Sequence, residues 1–107
     1  MSADNNCNFV GRLTRDPELR YTSGGTPYCF FPIAVYSYYD KKNDEEKSSF
    51  PLLKVYGKRA ENISKNLDKG QLVSATCEYR SSYNKEKDTN HNYFLIRDIR
   101  FKNKASG

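Results

Sequence analysis

The sequence has no tryptophan, a single histidine and three cysteines among its 107 residues. A zinc site normally needs four Cys or His ligands that include a closely spaced pair. Cys7, Cys29, Cys77 and His91 are too widely spaced to offer one. The composition therefore predicts no metal and no cofactor, and the cysteines are expected to behave as small apolar residues.

Long hydrophobic runs and clustered catalytic carboxylates are also missing. The first residues carry no apolar segment of the signal-peptide kind, and no run approaches the ~18 apolar residues of a membrane helix. We therefore expect a cytoplasmic protein that does not associate with membranes. A small nuclease would need a carboxylate cluster for a metal or a general base, but the acids lie mostly in the predicted hairpin tips, mixed with lysines as solubilising residues are. The sequence thus predicts no enzyme.

Basic and aromatic residues are abundant. Nine tyrosines and six phenylalanines accompany a net charge of +5, whereas only 36% of residues are hydrophobic. One domain with a thin core accounts for this length, and the charge favours a polyanionic partner. Tyrosine tolerates solvent, so many of the rings suit a wet binding face as well as a core edge.

Hydrophobic alternation and turn residues predict a β-rich fold. The predicted strands cover residues 7–14, 28–39, 50–57, 71–83 and 93–101, with a short strand at 18–21 and a helix at 58–68. Residues 40–49 and 84–92 are predicted hairpin tips. The order is that of the oligonucleotide-binding (OB) fold. We therefore predict an all-β protein with one short helix: a five-stranded Greek-key barrel with long hairpin loops over 7–102, a flexible arm over 1–6 and a short flexible end over 103–107.

The alternation also separates two faces of the predicted strands. The core face is expected to hold Cys29, Phe31, Ile33, Val35, Leu53 and Val55. The opposite face is expected to hold Phe30, Ala34, Tyr36, Tyr38, Phe50, Leu52, Lys54 and Tyr56. Pro32 lacks an amide hydrogen, which predicts a bulge or an unpaired edge there. A face that mixes aromatic rings with a cation suits bases and phosphates better than a core.

The run from Gly11 to Thr22 reads Gly-Arg-Leu-Thr-Arg-Asp-Pro-Glu-Leu-Arg-Tyr-Thr. It resembles the N-terminal signature of bacterial-type single-stranded DNA-binding proteins. Residues 31–35, 50–61 and 67–70 resemble further segments of that family, so the resemblance spans roughly 7–101. It implies sequence-independent binding and protection of single-stranded DNA during replication, recombination and repair, in a nucleoid-associated protein.

The resemblance and the predicted faces together give a set of DNA-binding residues. Family aromatics that stack on bases match Tyr39, Phe50 and Tyr56, with Tyr83 as a fourth, and family cations match Arg20 and Lys58. The full predicted set is Arg12, Arg15, Arg20, Tyr36, Tyr39, Phe50, Lys54, Tyr56, Lys58, Arg80 and Tyr83. The resemblance also implies a homo-oligomer, with a tetramer favoured over a dimer.

The sequence departs from the family pattern in several places. The fourth strand is one residue shorter before Tyr83, so an unbroken strand would place Tyr79 and Tyr83 on one face. Cys77 stands where the family usually has glycine. Pro51 replaces a residue that can donate to the ladder, near a region where family members contact neighbouring subunits, which argues against a tetramer. The chain stops at a short basic segment instead of a long tail with an acidic tip, so tail-mediated recruitment of replication proteins is not expected. Either a tail has been removed or this is a compact form, as mobile elements and phages carry. The alternatives are an OB-fold primosome adaptor and an RNA-binding, cold-shock-like protein.

Overall fold

The computed structural model describes residues 4–101, which form seven strands and one helix. Their bounds are β1 Cys7–Leu13, β2 Glu18–Tyr21, β3 Pro27–Asp40, β4 Glu45–Ser49, β5 Leu52–Tyr56, α1 Lys58–Asn66, β6 Leu72–Asn84 and β7 Thr89–Phe101. The predicted arm lies partly, and the predicted C-terminal end wholly, outside the described residues. Within that arm, the Asn5 side chain exchanges two hydrogen bonds with the backbone of Tyr79.

Five of the strands close into a barrel in the order β1–β6–β7–β5–β3, and β1 pairs again with β3 to complete the ring. The β5–β7 pair is parallel and the other pairs are antiparallel. Two further strands, β2 and β4, pair with β3. This arrangement confirms the predicted OB fold.

Gly11 allows the barrel to close. Directly after it, β1 begins to pair with β3, through Arg12 opposite Ala34 and Leu13 opposite Ile33, while its pairing with β6 ends at Arg12. A Cβ atom on residue 11 would lie 2.4 Å from the carbonyl oxygen of Ala34. No real Cβ contact is that short, so only glycine allows β3 to approach β1 this closely.

The barrel interior is apolar and closely filled. The buried hydrophobic residues are Leu13, Cys29, Phe31, Ile33, Leu53, Val55, Ala60, Ile63, Leu67, Val73, Ala75, Cys77 and Ile96. The predicted core faces of β3 and β5 are thereby confirmed, except that Val35 packs against the core while only partly buried. The helix ends at Asn66, two residues earlier than predicted, because Leu67 is already extended.

Burial determines the chemistry of two cysteines. Desolvation raises the pKa of Cys29 to about 11, and it raises that of Cys77, which also faces Cys7, to about 12. Both thiols stay protonated at neutral pH, so the interior treats them as small apolar groups.

The two predicted hairpin tips were too long. The strands continue to Asp40 and Asn84 and resume at Glu45 and Thr89, so each loop is only four residues. Each loop begins with an Asx turn, because Asp40 Oδ1 accepts from the Lys42 amide and Asn84 Oδ1 from the Glu86 amide. Charged residues have a low propensity for strands. Pairing between two strands overrides that propensity in a ribbon whose two faces are both exposed to solvent.

Pro32 causes neither a bulge nor a break on the β5 side, where it pairs with Leu52. On the other side β3 changes partners around it: β2 pairs up to Phe30 and β1 from Ile33. The missing amide hydrogen faces this gap, so the proline removes no ladder hydrogen bond. The bulge of β3 lies between Tyr36 and Tyr38.

Candidate nucleic-acid interface

The outer surface of the barrel carries a group of aromatic rings around a lysine. On β3, Tyr28 and Phe30 alternate with buried Cys29 and Phe31, so they point outward. The strand register places Tyr56 opposite Tyr28 and Lys54 opposite Phe30. Strand β7 adds one more ring beside them. We call this group the aromatic face; its members are Tyr28, Phe30, Lys54, Tyr56 and Tyr93.

Lys54 lies at the centre of the aromatic face. Its ammonium nitrogen is 5.1 Å from the ring centroid of Tyr28, 5.2 Å from that of Tyr56 and 4.9 Å from that of Tyr93. Ring faces attract cations at such distances. Among residues 4–101 no carboxylate lies within ion-pair distance of this ammonium group. Its positive charge is therefore held in place without being neutralised.

Two arginines flank Phe30. The guanidinium carbon of Arg15 is 5.7 Å from the Phe30 ring centroid, and that of Arg20 is 5.9 Å away. Arg20 lies opposite Tyr28 in the β2–β3 register and is joined to Glu18 by a 3.0 Å ion pair. The structure thus brings two predicted site cations to the aromatic face.

The β3–β4 ribbon extends the aromatic surface beyond the barrel. The bulge places Tyr36 opposite Ser48 and Tyr39 opposite Glu46, two positions that share one face of β4. Without the extra residue, these two tyrosines would lie on opposite faces of the ribbon. Both rings are exposed, so the bulge presents a pair of accessible rings on one side.

Phe50 lies in the junction between β4 and β5, because β5 begins at Leu52 and not at residue 50 as predicted. The strand alternation therefore does not extend to Phe50 and does not fix its face. The side chain is 62% exposed, which is exceptional for phenylalanine in a folded domain. Its exposure is compatible with the predicted stacking role, which stays a prediction.

The other predicted cations occupy three different settings. Lys58 is exposed at the first residue of α1, two residues after Tyr56. Arg12 donates a 3.1 Å hydrogen bond to the Gly70 carbonyl, and within residues 4–101 no contact joins it to the aromatic face. Arg80 lies opposite Tyr93 and forms a 2.7 Å ion pair with Glu78.

This ion pair affects the charge beside the aromatic face. The hydrogen bond from Arg80 lowers the pKa of Glu78, and the same pair raises the pKa of Arg80. Arg97 is 3.8 Å from the other carboxylate oxygen. Glu78 therefore stays ionised and partly offsets the positive charge of the two arginines, unlike the unopposed charge of Lys54.

Tyr83 and Tyr79 share one face of β6, because the register continues without a bulge from Cys77 to Asn84. Tyr79 packs on Phe94 at 5.5 Å, and the Tyr83 hydroxyl donates to the Asp88 carboxylate, which raises the pKa of Tyr83. Tyr83 therefore lies on the opposite side of the hairpin from Arg80, and its DNA-binding role stays a prediction.

The predicted set lacks three members of the aromatic face. Tyr28 and Phe30 share the outward parity of β3, and this signal was available in the sequence. Tyr93 meets Lys54 only because β5 and β7 pair in parallel, with Lys54 opposite Leu95. No local pattern reveals that pairing.

Two further features bear on the kind of protein. Among residues 4–101, no group of three or more His, Cys, Asp or Glu residues could hold a metal ion. The helix in that range is too short and too polar to cross a membrane.

An OB barrel whose outer surface combines accessible rings with unopposed cations has the make-up of a single-strand nucleic-acid-binding module. Sequence comparison agrees: the chain belongs to the Single-strand binding protein family, whose profile matches residues 4–101. The resemblance seen in the sequence is thereby confirmed.

Relatives from three bacteria illustrate the match. The chain is 46% identical over 65 residues to the single-stranded DNA-binding protein of Lactiplantibacillus plantarum, covering 61% of this chain and 32% of the relative. It is 41% identical over 80 residues to single-stranded DNA-binding protein 1 of Staphylococcus aureus MSSA476, covering 73% and 51%. With single-stranded DNA-binding protein 3 of Clostridium acetobutylicum it shares 34% identity over 86 residues, covering 79% and 59%. The chain thus spans about a third to three fifths of these relatives.

Proposed function

We propose that this protein binds single-stranded DNA without marked dependence on sequence and protects it during replication, recombination and repair. The observation that carries the proposal is Lys54, a cation held by three tyrosine rings with no carboxylate beside it among residues 4–101. A strand supplies both missing partners, a phosphate for the ammonium group and bases for the rings. The proposal assigns the protein no catalytic step.

In this mechanism, binding combines the stacking of bases on aromatic rings with charge contacts to the phosphates. Every base has a π-face, so rings such as Tyr28 and Tyr56 accept any base, whereas Lys and Arg groups follow the phosphates. Phe30 offers a ring with two guanidinium groups 5.7 and 5.9 Å from its centroid, which places stacking and phosphate contacts side by side. This combination favours a flexible single strand, whose bases are free to turn toward the protein.

The path of the strand extends from the aromatic face toward the β3–β4 ribbon. Tyr36 and Tyr39 present exposed rings on one side of that ribbon, and Phe50 lies at its base. Lys58 provides a cation at the other end of β5. One OB domain covers about 4 to 16 nucleotides, and a strand that contacts all of these residues would place several nucleotides on the protein.

We further propose that the protein is a homo-oligomer, with a tetramer favoured over a dimer. Strand β1 pairs with β6 along one edge. Along its other edge it pairs with β3 only at Arg12 and Leu13, so on that edge Cys7 to Val10 have no strand partner among residues 4–101. An open strand edge is able to pair with a second copy across a two-fold axis. Linked binding faces would hold a long strand more tightly, because each further contact becomes intramolecular. Light scattering at micromolar concentration tests this: a strict 12.4 kDa monomer without DNA, and a single protein chain in the complex with DNA, would contradict it.

A salt titration tests the binding function. Affinity for an oligothymidylate should fall steeply as salt rises, with a log–log slope of about −0.7 for each neutralised phosphate. Matched RNA and duplex DNA of the same length serve as comparisons and should bind more weakly. A slope near zero, or equal binding of the duplex, would contradict the proposal.

A further inference from the structure

A groove opens between the aromatic face and the outer part of the β6–β7 hairpin, two residues before its loop. Its volume is about 550 Å³, and its lining includes Tyr28, Phe30, Lys54, Ser82, His91 and Tyr93. Sites that hold one small organic molecule typically have volumes of ~300–1,000 Å³. The groove is therefore of the size class that accepts a single nucleotide.

The two sides of the groove differ in chemistry. The barrel side is aromatic and carries the ammonium group of Lys54. The hairpin side is polar: Ser82 and His91 are register partners, and they follow the same face of the ribbon as Arg80 and Tyr93. Within residues 4–101, neither the Ser82 hydroxyl nor the His91 imidazole has a hydrogen-bond partner. Two groups capable of hydrogen bonding thus face a stacking surface without being used by the fold.

We propose that this groove is a base-reading subsite, which takes one nucleobase of the bound strand and contacts its edge through Ser82 and His91. The inference rests on the proposed binding of single-stranded DNA. The base lies against the rings of the aromatic face, and an adjacent phosphate pairs with Lys54. Strand binding that is otherwise indifferent to sequence then gains a preference at one position of each protomer.

Hydrogen-bonding capacity explains why this position would discriminate. A hydroxyl both donates and accepts, and an imidazole ring carries two nitrogen atoms that form hydrogen bonds. Together they complement a base edge that presents donors and acceptors in turn, such as the N3–H of thymine between its two carbonyl oxygens. A base that blocks this edge leaves the two protein groups unpaired and loses affinity. Stacking alone would not detect the change, because the ring face stays the same.

The test compares two oligonucleotides of equal length by fluorescence anisotropy. One is oligothymidylate, and the other is its N3-methylthymidine analogue, which keeps the rings and phosphates but blocks the base edge. The wild-type protein should prefer oligothymidylate by about 3- to 10-fold, the range expected for one or two hydrogen bonds. The double variant Ser82→Ala/His91→Phe, which keeps an aromatic ring at residue 91, should bind both strands equally.

Ser81→Ala is the matched control, because Ser81 neighbours Ser82 but lies on the opposite face of the ribbon. This control should keep the wild-type preference. Equal binding of the two strands by the wild-type protein would overturn the subsite and leave the proposed function intact. A double variant that keeps the preference would also overturn it. Failure of the wild-type protein to bind either strand would instead contradict the proposed function.

Discussion

The two faces of β3 show how one strand serves both folding and binding. Cys29 and Phe31 point inward and are fully buried, whereas Tyr28 and Phe30 point outward and stay partly accessible. Both faces are rich in apolar and aromatic groups, so hydrophobicity alone does not separate them. The neighbours do: the inward residues contact other apolar side chains, and the outward rings contact Arg15, Arg20 and Lys54. Cations beside the rings distinguish the face that we propose binds the anionic strand.

The largest effect should come from the inward face. Phe31→Ala removes a fully buried ring from the middle of the barrel and should lower the free energy of unfolding by about 3–5 kcal/mol. Chemical denaturation of the two proteins measures the difference. Leu53→Ala, at another fully buried position, should cost about 2–5 kcal/mol in the same assay. A loss below about 1 kcal/mol at Phe31 would contradict its place in the core.

An intermediate effect is expected one residue earlier. Phe30→Ala should weaken binding of oligothymidylate by about 1–3 kcal/mol, the range for loss of a base–aromatic contact. Phe50→Ala and Tyr56→Ala should behave in the same way. Affinity and melting temperature must be measured together, since a loss of stability with unchanged affinity would assign these rings to packing instead of binding.

The smallest effect should come from the charge at the centre of the aromatic face. Lys54→Met keeps a long unbranched side chain but removes the ammonium group, so the salt dependence of binding should become shallower by about 0.7 in log–log slope. Lys65→Met on the exposed surface of α1 is the matched control and should leave the slope unchanged. Equal slopes for all three proteins would show that Lys54 does not neutralise a phosphate.

Much of this fold was predictable from the sequence, because strict alternation on β3 and β5 reflects burial on one side only. The barrel order and the identity of the core followed from that pattern. The full length of the two hairpins could not be predicted from that pattern, because Glu45–Ser49 and the first residues of β7 are polar on both faces. Such ribbons carry no hydrophobic period, and only the Asx turns at Asp40 and Asn84 indicate where their loops begin.

The candidate site was predictable in part for a related reason. Lys54 and Tyr56 stand out within a single strand, because a cation and a ring share its outward parity. The position of Tyr93 beside Lys54 depends on the pairing of strands whose residues are 39 positions apart in the chain. The position of Tyr36 and Tyr39 on one face depends on a bulge. No local sequence pattern indicates either relation, so the complete surface could not be predicted from the sequence alone.

Photo-cross-linking to a single-stranded oligonucleotide that carries 5-iodouracil tests the central claim most directly, because coupling requires the base to lie against the side chain it modifies. Peptide mass spectrometry then identifies the attached residues. We expect attachment at members of the aromatic face, foremost Tyr28, Phe30, Tyr56 and Tyr93, and its suppression by unlabelled oligothymidylate. Attachment confined to other exposed rings, such as Tyr21 and Phe101, with none on the aromatic face, would contradict the account.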